Sequence, residues 1–206
     1  MFRQRSDLQA RLMRILFSRI ANALRSLLTS KGKLALPAPP VVSESLPAPG
    51  PFALSMVYEA TLEIGKGEEG ANNSGAVVHK YFSGHRDEPW CAAFVSWCAR
   101  RAAARCHGKV PFVQSTSAKR LFRNILKTHG ALLVKEPLRG DIICWHRGKD
   151  GSWQGHIGIV ASVGEDGLVR CVEGNVGKFP ARVAIITHDL SHERVVGIAR
   201  LTLHAV

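Results

Sequence analysis

The sequence predicts an α+β fold, with helices first and an antiparallel sheet built from the second half of the chain. Three observations predict it. Apolar residues recur at helical spacing in several stretches up to about residue 129. After Gly140 the pattern switches to short β-branched runs separated by turn residues. Those strands follow the helices instead of alternating with them, which means segregated layers.

Taken in order, residues 8–28 read as an amphipathic helix, with Leu8, Leu12, Ile15, Leu16, Ile20, Leu24, Leu27 and Leu28 at three- and four-residue spacing. Arg11, Arg14 and Arg25 fall on the opposite stripe, and Arg19 intrudes on the apolar side. ALPAPPVVSESLPAPGP, residues 35–51, has six prolines in seventeen positions and reads as an extended, semi-rigid linker. The chain thus divides into a basic helical segment (1–34), a Pro-rich linker (35–51) and a domain over 52–206. The domain opens with a helix over about Ala53 to Ile64, then a Gly- and Asn-rich loop, GKGEEGANNSG, at 65–75. A second helix spans about Cys91 to Arg105, and a third about Ser117 to His129 behind a Ser115 or Thr116 cap. Strands follow at 141–146, 156–163, 168–174 and 195–206.

The composition is that of a globular protein, 46% hydrophobic and 21% charged. Net charge is +12, which suits an anionic partner. Residues 1–34 carry eight basic side chains against the single acid Asp7, so +7 of that charge lies there. The remainder is only mildly basic, which argues against nucleic acid as the partner of the main domain. For residues 1–34, docking on an anionic membrane or a partner and packing on the chain's own domain both remain open. No apolar run reaches the ~20 residues of a membrane span, and arginines interrupt the apolar region a standard signal peptide needs. The five cysteines contain no C-x-x-C pair, so no structural metal site is expected.

PWCAAFVSWCARRAAARC, residues 89–106, places Cys91 directly after Pro89 and Trp90, in the first turn of a helix. Backbone N–H groups there lack partners and the helix dipole is positive, which favours thiolate, the nucleophilic form. Cys98 shares that face about 10 Å along the axis and reads as inert packing. A nucleophile needs a base. Of nine histidines, His79, His85, His107, His129, His188, His192 and His204 lie in polar or terminal surroundings and read as solvated surface residues. His146, at a strand end, is a weak candidate. His156 opens a clean strand, sharing a face with Gly158 and Val160.

The base needs an orienting partner. The next strand ends in VEGN, with Glu173 and Asn175 on one face. If Val163 opposes Leu168 across the GEDG turn, His156 opposes Asn175 and Gly158 opposes Glu173. A tighter Asp166–Gly167 turn moves the register by two. Either register keeps an acceptor near His156, and the choice between Glu173 and Asn175 stays open.

PWCAAFVSWC, GDIICW, GHIGIV and EGN, in that order, resemble the CHAP amidohydrolase/peptidase domains, papain-like (NlpC-type) enzymes that cut amide bonds in peptidoglycan. EEGANNSGAVVHKYF resembles the segment before the cysteine in one bacterial and phage-associated branch. The resemblance covers roughly residues 54–204. It implies Cys91 as nucleophile, His156 as general base and Glu173 as third member with Asn175 assisting, and no cofactor. Some family members bind calcium just before the cysteine. Here that stretch is HRDEPW, without a D-x-D pattern, so calcium is not carried over. Trp90, Trp145 and Trp153 are candidates to line a substrate groove, or equally to pack the core.

The expected activity is therefore a peptidoglycan amidase or endopeptidase, acting in the periplasm or outside the cell. The export route and any secretion or immunity partner are left open. The rival readings are a related cysteine hydrolase or deamidase with a protein substrate, and a non-catalytic wall or membrane binder acting through its basic helix.

Overall fold

The computed structural model describes residues 46–202, so the expectations for residues 1–34 and for 35–45 lie outside the described residues. Residues 46–50 run as extended chain along the last strand, where the Gly50 N–H donates to the Leu201 carbonyl at 2.8 Å.

Four helices follow: α1 (Pro51–Thr61), α2 (Ala76–Phe82), α3 (Cys91–Arg105) and α4 (Ala118–Leu126). Pro51 occupies the first turn of α1, where its missing N–H costs nothing. Phe52, Ala53, Met56, Val57 and Ala60 then recur on its buried face. Helix α3 is buried along much of its length, and Ala92, Ala99 and Ala102 let it lie close to its neighbours. Glu59 of α1 is buried and receives Arg101 and Arg105 of α3, which locks the two helices together.

Six strands form one antiparallel sheet in the order β1-β6-β2-β3-β4-β5: β1 (Ala131–Val134), β2 (Ile142–His146), β3 (Gly155–Val163), β4 (Val169–Val176), β5 (Arg182–His188) and β6 (Val195–Leu201). The α+β class is as the sequence predicts. Ile142, Cys144, Ile157, Ile159, Val172 and Leu201 join the helices in the main core. Ile143, Trp145, Val160, Val169, Cys171 and Ile198 form a second, smaller core on the alternate positions. In GDIICW, Asp141 is fully buried and takes a paired contact from Arg200, whose Nη2 is 2.8 Å from Oδ2. That pair ties the start of β2 to β6.

Helix α2 and strands β1 and β5 were not expected. The two strands are the outer strands of the sheet, half-buried with weak alternation. Helix α2 has only seven residues and two buried ones, too short for a clear period. The third expected helix starts one residue later and ends three earlier, and its N-cap is Ser117 in place of Ser115 or Thr116; Ser115 accepts the Ser117 N–H in the turn before the helix.

Candidate active site

Cys91 is the first residue of α3 and is buried with 6% exposure. Its backbone N–H precedes the first intrahelical bond, Phe94 N–H to Trp90 carbonyl. The preceding residue is fixed firmly. Trp90 is wholly buried, stacked on Tyr81 at 5.5 Å, and its Nε1–H donates to Glu68. Glu68, itself buried, also accepts the N–H groups of Asn73 and Ala181. One carboxylate of the EEGANNSG loop thereby holds the residue before Cys91. Trp90 offers no face to a substrate.

His156 follows Gly155 at the start of β3 and is buried with 5% exposure. Its Nε2 is 2.7 Å from Glu173 Oε2, which leaves Nδ1 unused by that carboxylate. Burial opposes protonation of this ring. The hydrogen bonds to Cys91 and Glu173 outweigh burial and raise its pKa to about 9. The imidazolium is therefore the resting form at neutral pH.

Gly158 pairs with Glu173, and Val163 with Val169. The first pairing belongs to the first of the two registers open across the GEDG turn, in which Val163 would oppose Leu168. The second differs by one residue, and a bulge between Val160 and Ser162 absorbs the difference. A Cβ on Gly158 would lie 2.6 Å from Glu173 Cγ. The missing side chain of GHIGIV is thus the space through which Glu173 reaches His156. The glycine of EGN has a matching reason, because a Cβ on Gly174 would meet Phe94 at 2.7 Å and Trp90 at 2.8 Å. Its absence lets α3 lie against β4. Asn175 sits at the β4 bulge in the left-handed region, φ 62°, and is half-buried. The acceptor on His156 is Glu173.

His188 was expected at the surface; the structure buries it, with 11% side-chain exposure. Its Nε2 bonds Glu173 Oε1, and its Nδ1 lies 2.7 Å from Glu193. Burial opposes its protonation, and the two carboxylates outweigh burial and raise its pKa. Glu173 bridges two imidazoles and, although burial acts to raise its pKa, His156 and His188 hold it below the usual carboxylate value. Glu173 thus lies between two imidazoles, and His188 between Glu173 and Glu193, behind Cys91. His188 was missed because β5 was missed. Read as a strand, RVAIITH would have carried its histidine into the sheet.

Trp145 stacks on His188 at 4.5 Å and lies 6.0 Å from His156. It backs both rings instead of lining a groove, and its Nε1 has no hydrogen-bond partner. Trp153 is 75% exposed. His146 is exposed at the end of β2. Among the described residues two groups bring metal-ligating atoms within 4.8 Å of one another: His79, His85 and Asp87 at the surface, and Cys171, Glu173 and His188 inside. In the second group, Glu173 and His188 are already joined to each other.

The model of the CHAP domain family matches residues 82–175. Solved structures with similarity include Ly7917, at 18% identity over 73% of this chain and 62% of that chain, TM-score 0.47. Ly7917 with the hydrolyzing product of MDP gives 17% identity over 73% and 63%, TM-score 0.49. The wild type endolysin LysIME-EF1 gives 17% over 74% and 65%, TM-score 0.47. This chain therefore spans less than two thirds of each. No curated protein matches it.

Proposed function

Because the chain carries a CHAP domain across residues 82–175, we propose that it hydrolyses an amide bond of peptidoglycan with Cys91 as nucleophile, His156 as acid and base, and Glu173 as the group that orients His156. The observation that carries this reading is the buried cluster of Cys91, at the first turn of a helix and close enough to His156 to raise its pKa, with His156 Nε2 2.7 Å from Glu173 Oε2. Asn175, close to this cluster at the β4 bulge, assists by shaping the turn beside Glu173. A wall substrate assigns the activity to the periplasm or the cell exterior.

The thiolate of Cys91 attacks the scissile carbonyl carbon and a C–S bond forms. The carbonyl π electrons move to oxygen, where the free Cys91 N–H is one donor to the oxyanion. Collapse of the tetrahedral species breaks the C–N bond. His156, protonated at neutral pH, gives its proton to the departing amine. The neutral ring then takes a proton from water as that water attacks the thioester. A carboxylic acid leaves, and thiolate and imidazolium are restored. Glu173 keeps the ring aligned and stabilises its positive form throughout.

The test is amine release from purified peptidoglycan by the full chain and by Cys91→Ala. Equal release by both would end the proposal. Digestion of defined muropeptides, with the fragments weighed by mass spectrometry, separates an N-acetylmuramoyl-L-alanine amidase from a peptide endopeptidase.

A further inference from the structure

One cleft is not explained by the residues at Cys91. It has a volume of about 520 Å³ and is lined by Ser117, Lys119, Arg120, Arg123, Gly151, Ser152, Trp153 and Val196. That is within the usual size of a small-ligand site. Three of the lining side chains are cations and none is a carboxylate. Among the described residues, Arg120 and Arg123 belong to no ion pair. Both arginines are exposed, so they leave a positive field at the cleft mouth that an anionic ligand would meet.

The cleft adjoins the site. Lys119 lies across Gly155, the residue before His156: a Cβ there would be 2.9 Å from Lys119 Cγ. The Lys119 ammonium donates to the Ser152 carbonyl. The wall that carries Trp153 is preformed. Arg147 N–H donates to Gln154, Ser152 N–H to Lys149, and Arg194 bonds both the Gly148 carbonyl and Asp150. Trp153 is held out by this pinned loop as an exposed aromatic face beside the cations.

We propose that this cleft is the subsite for the carboxylate-bearing stem peptide of the substrate, with Arg120 and Arg123 pairing its free carboxylates and Trp153 stacking on the adjoining sugar or peptide plane. The guanidinium fork matches a carboxylate in a bidentate pair. An indole face suits the apolar side of a sugar or an amide plane. The proposal rests on the reading of the chain as a peptidoglycan hydrolase and sharpens it. The enzyme favours stem peptides whose side carboxylates are free over those in which they are amidated.

A matched pair of probes tests it. N-acetylmuramyl-L-alanyl-D-glutamate and its D-isoglutamine counterpart differ in one carboxylate. Their binding to the full chain carrying Cys91→Ala is measured by calorimetry. The acid is expected to bind about tenfold tighter than the amide, and less so as salt rises from about 0.05 to about 0.5 M. Arg120→Gln with Arg123→Gln reduces that preference to under about twofold, and Trp153→Ala weakens both probes alike. Equal binding of acid and amide, binding of neither, or an unchanged preference in the double variant overturns the subsite. So does a glycerol phosphate oligomer that binds tighter than the acid, because the anion would then be a wall phosphate. Amine release by the unsubstituted chain is measured alongside. Release without preference sinks the subsite alone, and preference without release sinks the hydrolase reading alone.

Discussion

Cys91 and Cys98 lie on one face of one helix, two turns apart, and both are buried. Their surroundings pull in opposite directions. Burial pushes the Cys98 thiol well above its ordinary pKa, and Glu63 and Glu59 push it further. Cys91 lies two turns nearer the helix start. It has the open first turn of α3 and an imidazole that stays protonated to about pH 9. A cysteine's surroundings are therefore made by what the fold brings to it, and seven residues of helix are enough to separate a sulfur beside an imidazole from one packed in the core.

The largest expected effect is on that contrast itself. Cys91→Ala should lower amine release from peptidoglycan by about 10³-fold or more, because no other group can form the thioester. Cys98→Ala should stay within about threefold of the unsubstituted chain, having lost only packing atoms. A comparable loss in both would mean that the two thiols are not distinguished by their surroundings.

Next comes the group that makes the Cys91 environment differ. Glu173→Gln removes the charge behind His156 and should lower kcat/KM by about 10²-fold or more. The pH profile gives the sign. His156 is raised from its ordinary value to about 9, so its ion-paired form is complete below about pH 6.5 and is lost as pH rises through about 9. Glu173 is lowered, so its contribution is complete above its ordinary value of 4.5 and is lost as pH falls through the depressed one. Stability from this pair should therefore peak between about pH 4.5 and 6.5, and activity should fall on an alkaline limb near pH 9. In Glu173→Gln that limb should move to lower pH. An unmoved limb would remove Glu173 from the account.

How much of this was legible follows from where each residue lies. Cys91 could be found because Pro-Trp-Cys opens a strongly periodic helix, a local pattern needing no partner. His156 and Glu173 could be found because one hairpin turn relates them; the bulge near Ala161 changed the register at the turn but not at Gly158. The purpose of Gly158 and Gly174 could not be read, since each makes room for a side chain distant in sequence. The tryptophans could not be sorted either. Trp90, Trp145 and Trp153 look alike in sequence, and only packing makes one core, one the backing of two imidazoles and one an exposed face. His188 was lost with the outer strand that carries it, because the hydrophobic period is weakest where a strand is half-buried.

His188 supplies the third and intermediate effect. It holds the far oxygen of Glu173 and is itself held by Glu193. His188→Phe keeps a ring against Trp145 but removes both hydrogen bonds. Glu173 then loses one of its two imidazole partners, and kcat/KM should fall about tenfold. Glu173 would spend its charge on His156 alone, so the alkaline limb should move upward, opposite to Glu173→Gln. A packing role alone would leave that limb in place, which makes the pH profile the deciding measurement.

The smallest expected effect concerns stability and returns to the two thiols. Serine is close to cysteine in shape but carries a hydroxyl that needs a partner. At position 98 the side chain is fully buried within the main core. Cys98→Ser should therefore lower unfolding stability by about 1–3 kcal/mol in urea titrations. At position 91 the hydroxyl inherits the His156 ring as its partner, and the cost should stay below about 1 kcal/mol. Measured near pH 6, where His156 and Glu173 are both charged, the two substitutions differ only in the surroundings of the atom exchanged. Equal costs would mean that the polar environment inferred at Cys91 does not reach its side chain, and the cluster on which the chemistry depends would lose its first member.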